Sequence, residues 1–210
     1  MMTKAFVFLN GEFPKENSFY DNLNIKEHSL FCADGGAKKA IELNITPTEV
    51  WGDFDSLDTT YIEWLIDRSV KLKKFNRDKD FTDGELLIEY VSSLNFDEIY
   101  VIGGLGGRID HTLTNINLIF KYNNLTFINE FEKLFLVKNN QNFNFLKGKT
   151  ISFIPFSDEV LDLTLDGFQY PLFNHTLKRG DSTCISNVIT SENATVKFSS
   201  GKLLGTLSLD

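Results

Sequence analysis

The sequence is short of the residues that staple, kink or soften a chain: 210 residues contain two cysteines, four prolines and three histidines. Cys32 and Cys184 lie far apart in apolar surroundings and read as two reduced, buried thiols rather than a disulfide. No apolar run approaches the roughly 18 residues of a membrane span, and the N-terminal run, Ala5 to Leu9, is too short for a secretion signal. Basic charge is also scarce, with 21 Lys+Arg against 29 Asp+Glu and a net charge of −8. A nucleic-acid binder of the ordinary kind needs a basic stripe to displace counterions, so that class is excluded. Internal repeats and low-complexity tracts are absent too. The expectation is a cytoplasmic protein with neither a membrane nor a nucleic-acid partner.

What is present is the composition of a globular protein, 42% hydrophobic, 24% charged and 13% aromatic. Short apolar runs alternate with helical patterns, as βα units do. Strands are expected at Lys4 to Leu9, Ser29 to Ala33, Val50 to Trp51, Val70 to Phe75, Glu98 to Ile102 and Leu125 to Ile128. Between them, four sets of residues keep the spacing of a core-facing helix. These are Ala37, Ala40 and Ile41; Ile62, Leu65 and Ile66; Leu86, Leu87, Tyr90, Val91 and Leu94; and Leu113, Ile116, Ile119 and Phe120. This predicts an α/β layer with a mostly parallel sheet over residues 1–138. After Lys138 the Asn-rich run NNQNFNFLKG suits a linker or long turn. Beyond it the period is two, with Leu161, Leu163 and Leu165 on one face and Ala194, Val196 and Phe198 on another, and Ser199-Ser200-Gly201 reads as a hairpin turn. A smaller all-β domain is expected over 139–210.

Aspartates fall after expected strands and before expected helices, at the carboxyl edge where open α/β sheets bind ligands. Asp34 is followed by Gly35 and Gly36, which let backbone approach a bound group. In Gly52-Asp53-Phe54-Asp55-Ser56 an extended backbone would set both carboxylates on one side, where two anions about 4 Å apart repel by roughly 4 kcal/mol at an effective dielectric near 20. A divalent cation removes that repulsion, and with oxygen ligands and no clustered His or Cys a hard ion such as Mg²⁺ fits. In Lys79-Asp80-Phe81-Thr82-Asp83-Gly84-Glu85, Thr82 and Glu85 have capping-box spacing and Asp83 complements a helix dipole, which leaves Lys79 and Asp80 for a phosphate and a metal. Finally Gly103-Gly104-Leu105-Gly106-Gly107-Arg108-Ile109-Asp110-His111 offers four glycines in five residues and an arginine suited to bidentate phosphate contacts. Asp110 also suits an N-cap. A metal-bound nucleotide held by Lys79 and Arg108 in a carboxylate-lined cleft points to phosphoryl or pyrophosphoryl transfer.

Taken in order, ADGGA (33–37), GDFDS (52–56), KDFTD (79–83) and GGRIDHTLTN (106–115) resemble thiamine pyrophosphokinase, as do the later GFQYPL (167–172) and CISN (184–187). The resemblance implies a Rossmann-like N-terminal layer, a C-terminal β-sandwich and a homodimer with thiamine between subunits. The implied reaction is transfer of the terminal diphosphate of ATP to the hydroxyethyl group of thiamine, releasing AMP, with Mg²⁺ as cofactor. By motif, Asp53, Asp55, Asp80 and Asp83 would bind or orient the Mg²⁺ and phosphates, and Asp34 and Asp110 would complete the acidic cleft. Gly35, Lys79, Gly106, Gly107 and Arg108 would serve the nucleotide, and Ser186 and Asn187 would face the thiamine pyrimidine. Asp55, Asp83 and Asp110 are the implied catalytic residues, with Asp83 or Asp110 accepting the alcohol proton. Some relatives stack a C-terminal Trp on thiamine, whereas both tryptophans here, Trp51 and Trp64, lie in the first half, so an aromatic such as Phe173 is the expected substitute.

Two other readings compete. Asp53-Phe54-Asp55-Ser56-Leu57 is similar to the DxDx[TV] loop of haloacid-dehalogenase-like phosphatases, but Leu57 stands where Thr or Val belongs and the loop follows the third expected strand instead of the first. Alternatively, the glycine loop and acids bind a nucleotide without turning it over.

Overall fold

In the first half of the chain the apolar runs become strands and the periodic stretches become helices. The order is β1 (Lys4–Phe8), α1 (Asn17–Asn22), β2 (Ser29–Ala33), α2 (Gly36–Glu42), β3 (Glu49–Gly52), α3 (Thr59–Asp67), β4 (Lys71–Lys74), α4 (Asp83–Ser93), β5 (Glu98–Ile102), α5 (Ile109–Leu118) and β6 (Leu125–Ile128). The structure is a computed structural model that describes residues 2–55, 57–74 and 81–210. Two compact units divide the chain, Met1–Glu130 and Phe131–Asp210.

The first unit is α/β with a parallel sheet. Its strands run β6-β5-β1-β2-β3-β4, every neighbouring pair parallel. A parallel strand is covered on both faces, which is why β1 reads as an unbroken apolar run with Ala5, Phe6, Val7 and Phe8 all buried. The core gathers Phe6, Phe8, Leu30, Cys32 and Val50 from strands with Ala37 and Ala40 of α2 and Leu65 of α3. Burial pushes the Cys32 thiol well above its ordinary pKa.

Three helices depart from their expected faces; in α4, Ile88 is buried and Leu94, at the C-cap, is exposed. The buried side of α3 centres on Leu65, so Ile66, about 100° further round, is turned to solvent. In α5 burial is confined to the C-terminal turn, at Leu118 and the following Ile119, while Leu113 is exposed. The short helix α1 had no periodic signal; it buries only Tyr20, whose hydroxyl donates to the Pro14 carbonyl at 2.6 Å. The terminal strand β4 carries Lys71, Lys73 and Lys74. Lys71 pairs with the Glu49 carboxylate at 3.5 Å and the Lys73 ammonium lies 4.0 Å from the centroid of the Trp51 ring. Phe75, expected in this strand, lies outside the described residues.

The second unit is all β. It comprises β7 (Glu132–Val137), β8 (Gln141–Asn144), β9 (Thr150–Pro155), β10 (Glu159–Asp166), β11 (Leu172–Lys178), β12 (Asn187–Val188), β13 (Asn193–Lys197) and β14 (Leu203–Ser208). One antiparallel group runs β12-β9-β14-β7 and a separate antiparallel sheet runs β11-β10-β13-β8. Both contribute to one core that includes Phe143, Phe153, Phe168, Val160, Leu163 and Leu203.

Three local expectations change here. The Asn-rich run contains β8, held in its sheet by β13, and β7, on the near side of the expected boundary at Lys138, pairs with β14. The strict alternation of β10 breaks at a bulge between Val160 and Leu163, where Asp162 has φ +56°; Val160, Leu163 and Leu165 turn inward and Leu161 outward. Ser199 to Gly201 is no hairpin turn, because β13 pairs with β8 and β10 while β14 pairs with β7 and β9.

Candidate active site

The strand order turns outward in both directions from β1 and β5, which pair directly. Loops leaving their carboxyl ends diverge there and open a crevice, the usual ligand position in such a sheet. A cleft of about 650 Å³ lies at that point. Its walls are Leu9 to Glu12 after β1, Asp34 after β2, Thr82 to Gly84 at the start of α4, the glycine loop after β5, and Arg108, His111 and Asn115.

The glycine loop owes its shape to composition. Gly103, Gly106 and Gly107 have φ of +76°, +84° and +66°, a left-handed backbone open to glycine at no steric cost. Side chains of α5 hold its carbonyls: Thr112 Oγ1 donates to Gly106 O at 3.1 Å and Asn115 Nδ2 to Gly104 O at 2.8 Å. Arg108 stands at the N-cap of α5. Its Nε donates to Asp110 Oδ1 at 3.1 Å and a terminal nitrogen to Oδ2 at 2.6 Å, a bidentate pair. The Arg108 hydrogen bond, helped by the His111 N–H, holds the Asp110 carboxyl below its ordinary pKa, and Asp110 raises that of Arg108. Asp110 is therefore the second helical residue and a partner for Arg108, not the N-cap its position suggested.

Asp83 opens α4, behind Thr82, whose Oγ1 accepts the Glu85 N–H at 3.1 Å. Half of the expected capping box forms; the Glu85 carboxylate pairs instead with Lys121 at 3.2 Å. Asp34 takes φ +38° and its N–H donates to the Trp51 carbonyl at 2.7 Å. Gly52 backs onto it so closely that a β-carbon there would lie 2.9 Å from Asp34 Cβ.

The segment Asp53-Phe54-Asp55 is not extended. Phe54 has φ +63°, costly for an aromatic residue, and the Asp55 N–H donates to Asp53 Oδ1 at 3.1 Å. The two aspartates are thus folded into an Asx-like turn, with the Phe54 ring packed against the core.

The structure therefore brings Asp34, Asp83, Gly106, Gly107 and Arg108 to one cleft, with Asp110 joined through Arg108. Asp53 and Asp55 occupy the neighbouring loop after β3 and do not line it, and Gly35 forms the N-cap of α2. Lys79 and Asp80 lie outside the described residues. Among the described residues no three His, Cys, Asp or Glu side chains form a metal-binding group. The cleft's donor chemistry still suits Mg²⁺, which is ordinarily held by one or two carboxylates together with substrate phosphates. Asn10, Gly11 and Glu12, missed in the sequence, were marked by the same rule as the aspartates: a polar, glycine-containing turn directly after an apolar strand.

In the second unit Ser186 is exposed, with φ +55° and its N–H donating to Ser152 Oγ at 2.9 Å. Asn187 is only 1% exposed. Its Oδ1 accepts the N–H of Tyr170 at 3.0 Å and of Val188 at 2.9 Å, and its Nδ2 donates to the Tyr170 carbonyl at 2.9 Å. The amide thus ties the backbone of Tyr170, in the GFQYPL segment, to that of Val188. Phe173 is 81% exposed. Among the described residues no helix is long and apolar enough to cross a membrane.

Comparison with known proteins bears on both units. Residues 20–128 match the family model for the thiamin pyrophosphokinase catalytic domain, and residues 135–203 that for the thiamin pyrophosphokinase vitamin B1 binding domain. Thiamine pyrophosphokinase of Bacillus subtilis (strain 168) is 33% identical over 196 residues, covering 88% of this chain and 89% of that protein. Thiamine pyrophosphokinase 1 of Arabidopsis thaliana is 27% identical over 235 residues, covering 98% of this chain and 86% of that protein. A crystal structure of the Bacillus subtilis thiamine pyrophosphokinase superposes with a TM-score of 0.85 at 26% identity, covering 99% of this chain and 100% of that one. None of these supports the phosphatase or the non-catalytic reading. With both family models matched in order and the same fold in a solved relative, the chain belongs to the thiamine pyrophosphokinase family, a family of transferases.

Proposed function

We propose that this chain transfers the diphosphate of ATP to thiamine, with Mg²⁺ as cofactor, giving thiamine diphosphate and AMP. The observation that carries this reading is the cleft at the β1/β5 switch point, where Asp34, Asp83, the left-handed glycines and Arg108 converge. In it the first unit is the Rossmann-like nucleotide layer and the second a β-sandwich that takes thiamine. Asp83, with Asp53 and Asp55 of the neighbouring loop and with Asp80, would hold or orient the metal and the phosphates beside Asp34. Bound Mg²⁺ would supply neutralisation of charge on the phosphate oxygens. Gly106 and Gly107 let the backbone approach the phosphates, and Lys79 and Arg108 meet them as cations. The thiamine hydroxyl oxygen forms a bond to the β-phosphorus while the bond from that phosphorus to the oxygen bridging to the α-phosphate breaks, and AMP leaves. The hydroxyl proton passes to a carboxylate. Asp83 suits this better than Asp110, whose depressed pKa and pairing with Arg108 make it a weak base and a holder of the guanidinium. Catalysis is then mainly alignment and charge neutralisation.

Ser186 and Phe173 are the candidates for contact with thiamine, and Asn187 shapes that surface by fixing Tyr170. The chain acts as a homodimer in the cytoplasm on this reading, which two free, buried cysteines suit. The test is AMP release from ATP plus thiamine, followed by chromatography. Asp83→Asn should lower it by about a thousandfold while the melting temperature holds. Wild-type turnover in that variant, or none in the parent, would overturn the reading.

A further inference from the structure

We propose that Glu12, outside every motif above, is a positioning residue that braces the glycine loop for nucleotide; this rests on the phosphate-binding reading of the cleft. Because β1 and β5 pair in parallel at the switch point, the loop after β1 faces the loop after β5. Glu12 Oε1 accepts the Gly107 N–H at 3.0 Å, and a β-carbon on Gly106 would fall 2.6 Å from Oε2. One carboxylate thus bears on two successive left-handed residues. Beside this contact the two loops approach closely, since a β-carbon on Gly11 would lie 2.3 Å from the Gly103 carbonyl oxygen. From α5, Thr112 and Asn115 hold the carbonyls of Gly106 and Gly104.

Glycines sample left- and right-handed backbone almost equally, so a loop built of them needs outside contacts to hold one shape. Arg108 follows Gly107 directly, and the turn at Gly106-Gly107 sets where its backbone emerges. Glu12 contacts a backbone N–H, which makes it a positioning group rather than a catalytic one. Because Glu12 is exposed, its hydrogen bond contributes little to global stability, and its loss should loosen the loop without unfolding the chain. An opposed reading has the same contact as an obstacle, with the carboxylate taking an N–H that a phosphate needs; it gives the opposite sign.

The experiment uses the full chain as wild type, Glu12→Ala and Glu12→Gln. Binding of a non-hydrolysable ATP analogue with Mg²⁺ is read by calorimetry, and KM for ATP and for thiamine by AMP release. Glu12→Ala should weaken analogue binding and raise the KM for ATP about tenfold or more, and Glu12→Gln, which keeps the acceptor oxygen, should stay within about threefold of wild type. The KM for thiamine and the melting temperature should hold in both. Unchanged or tighter nucleotide binding in Glu12→Ala overturns the proposal, as does a Gln variant as weak as Ala, or a parallel loss of both substrates with a lowered melting temperature. Wild type that binds the analogue yet releases no AMP with thiamine overturns diphosphate transfer alone; wild type that binds no nucleotide overturns both.

Discussion

The loops after β5 and after β3 both turn through left-handed backbone, but they reach it by different means. After β5, Gly103, Gly106 and Gly107 adopt positive φ without steric cost, and the loop is held by Glu12 at Gly107, Thr112 at Gly106 and Asn115 at Gly104. After β3, an aromatic residue, Phe54, takes φ +63°, and its ring is packed on the core beside the Asp53–Asp55 turn. Backbone strain there amounts to about 1–2 kcal/mol, offset by burial of the ring. One loop is compliant and braced from outside; the other is strained and anchored from beneath. Both lie at the carboxyl edge of the sheet, so two solutions to the same placement problem stand side by side.

The contrast can be broken most severely at Gly106. Gly106→Ala puts a β-carbon on a residue at φ +84° and against the Glu12 carboxylate, and kcat/KM for ATP should fall about a hundredfold with melting little changed. Steady-state kinetics decides it, and a fall under threefold would mean the loop readily takes another shape.

At Phe54 the effect is smaller and its order is the test. Both Phe54→Ala and Phe54→Gly lose the ring, but only Ala keeps the left-handed penalty. Phe54→Gly should therefore be the more stable variant by about 1 kcal/mol in chemical denaturation, the reverse of the usual Ala-over-Gly order. Ala at least as stable as Gly would show that the turn relaxes once the ring is gone.

The smallest effect is expected in the pairing of Arg108 with Asp110. The folded pKa of Asp110 is depressed, so the pair is complete above the ordinary carboxylate pKa and is lost as pH falls through the lowered folded value. An NMR titration of the Asp110 carboxyl should show its midpoint below that of an unpaired aspartate, and Asp110→Asn should raise the KM for ATP by only severalfold. A normal midpoint would mean the pair does not persist in solution.

How legible this was in the sequence follows from where the information is local. Strands β2, β5 and β6 could be read residue for residue, because a parallel strand covered on both faces is written as an apolar run. Asp34, Asp83 and the glycine loop were legible because turn chemistry after a strand is written in adjacent residues. The turn carrying Glu12 obeys the same rule, but its contact with Gly107 was not legible, since it spans 95 positions and depends on β1 lying beside β5. The backbone at Phe54 was misjudged because an aromatic in left-handed space is allowed only by packing that no local pattern encodes. In the second unit Leu161 was misassigned for a similar reason: the bulge at Asp162 shifts the alternation, and nothing in LDLTLD announces it. The backbone bonds of Asn187 were not legible either, because its partner Tyr170 lies 17 positions away.

The lysines of β4 have a consequence for the protein's behaviour in concentrated solution. The last strand of a sheet offers unpaired backbone groups to any other chain that can lie alongside it. A strand spelled Lys-Leu-Lys-Lys asks a newcomer to crowd against several ammonium groups, one paired with Glu49 and another lying over Trp51. Side-by-side fibre growth is thereby discouraged on this flank, and neutral replacements there should show up first as a shelf-life problem, well before any change in turnover.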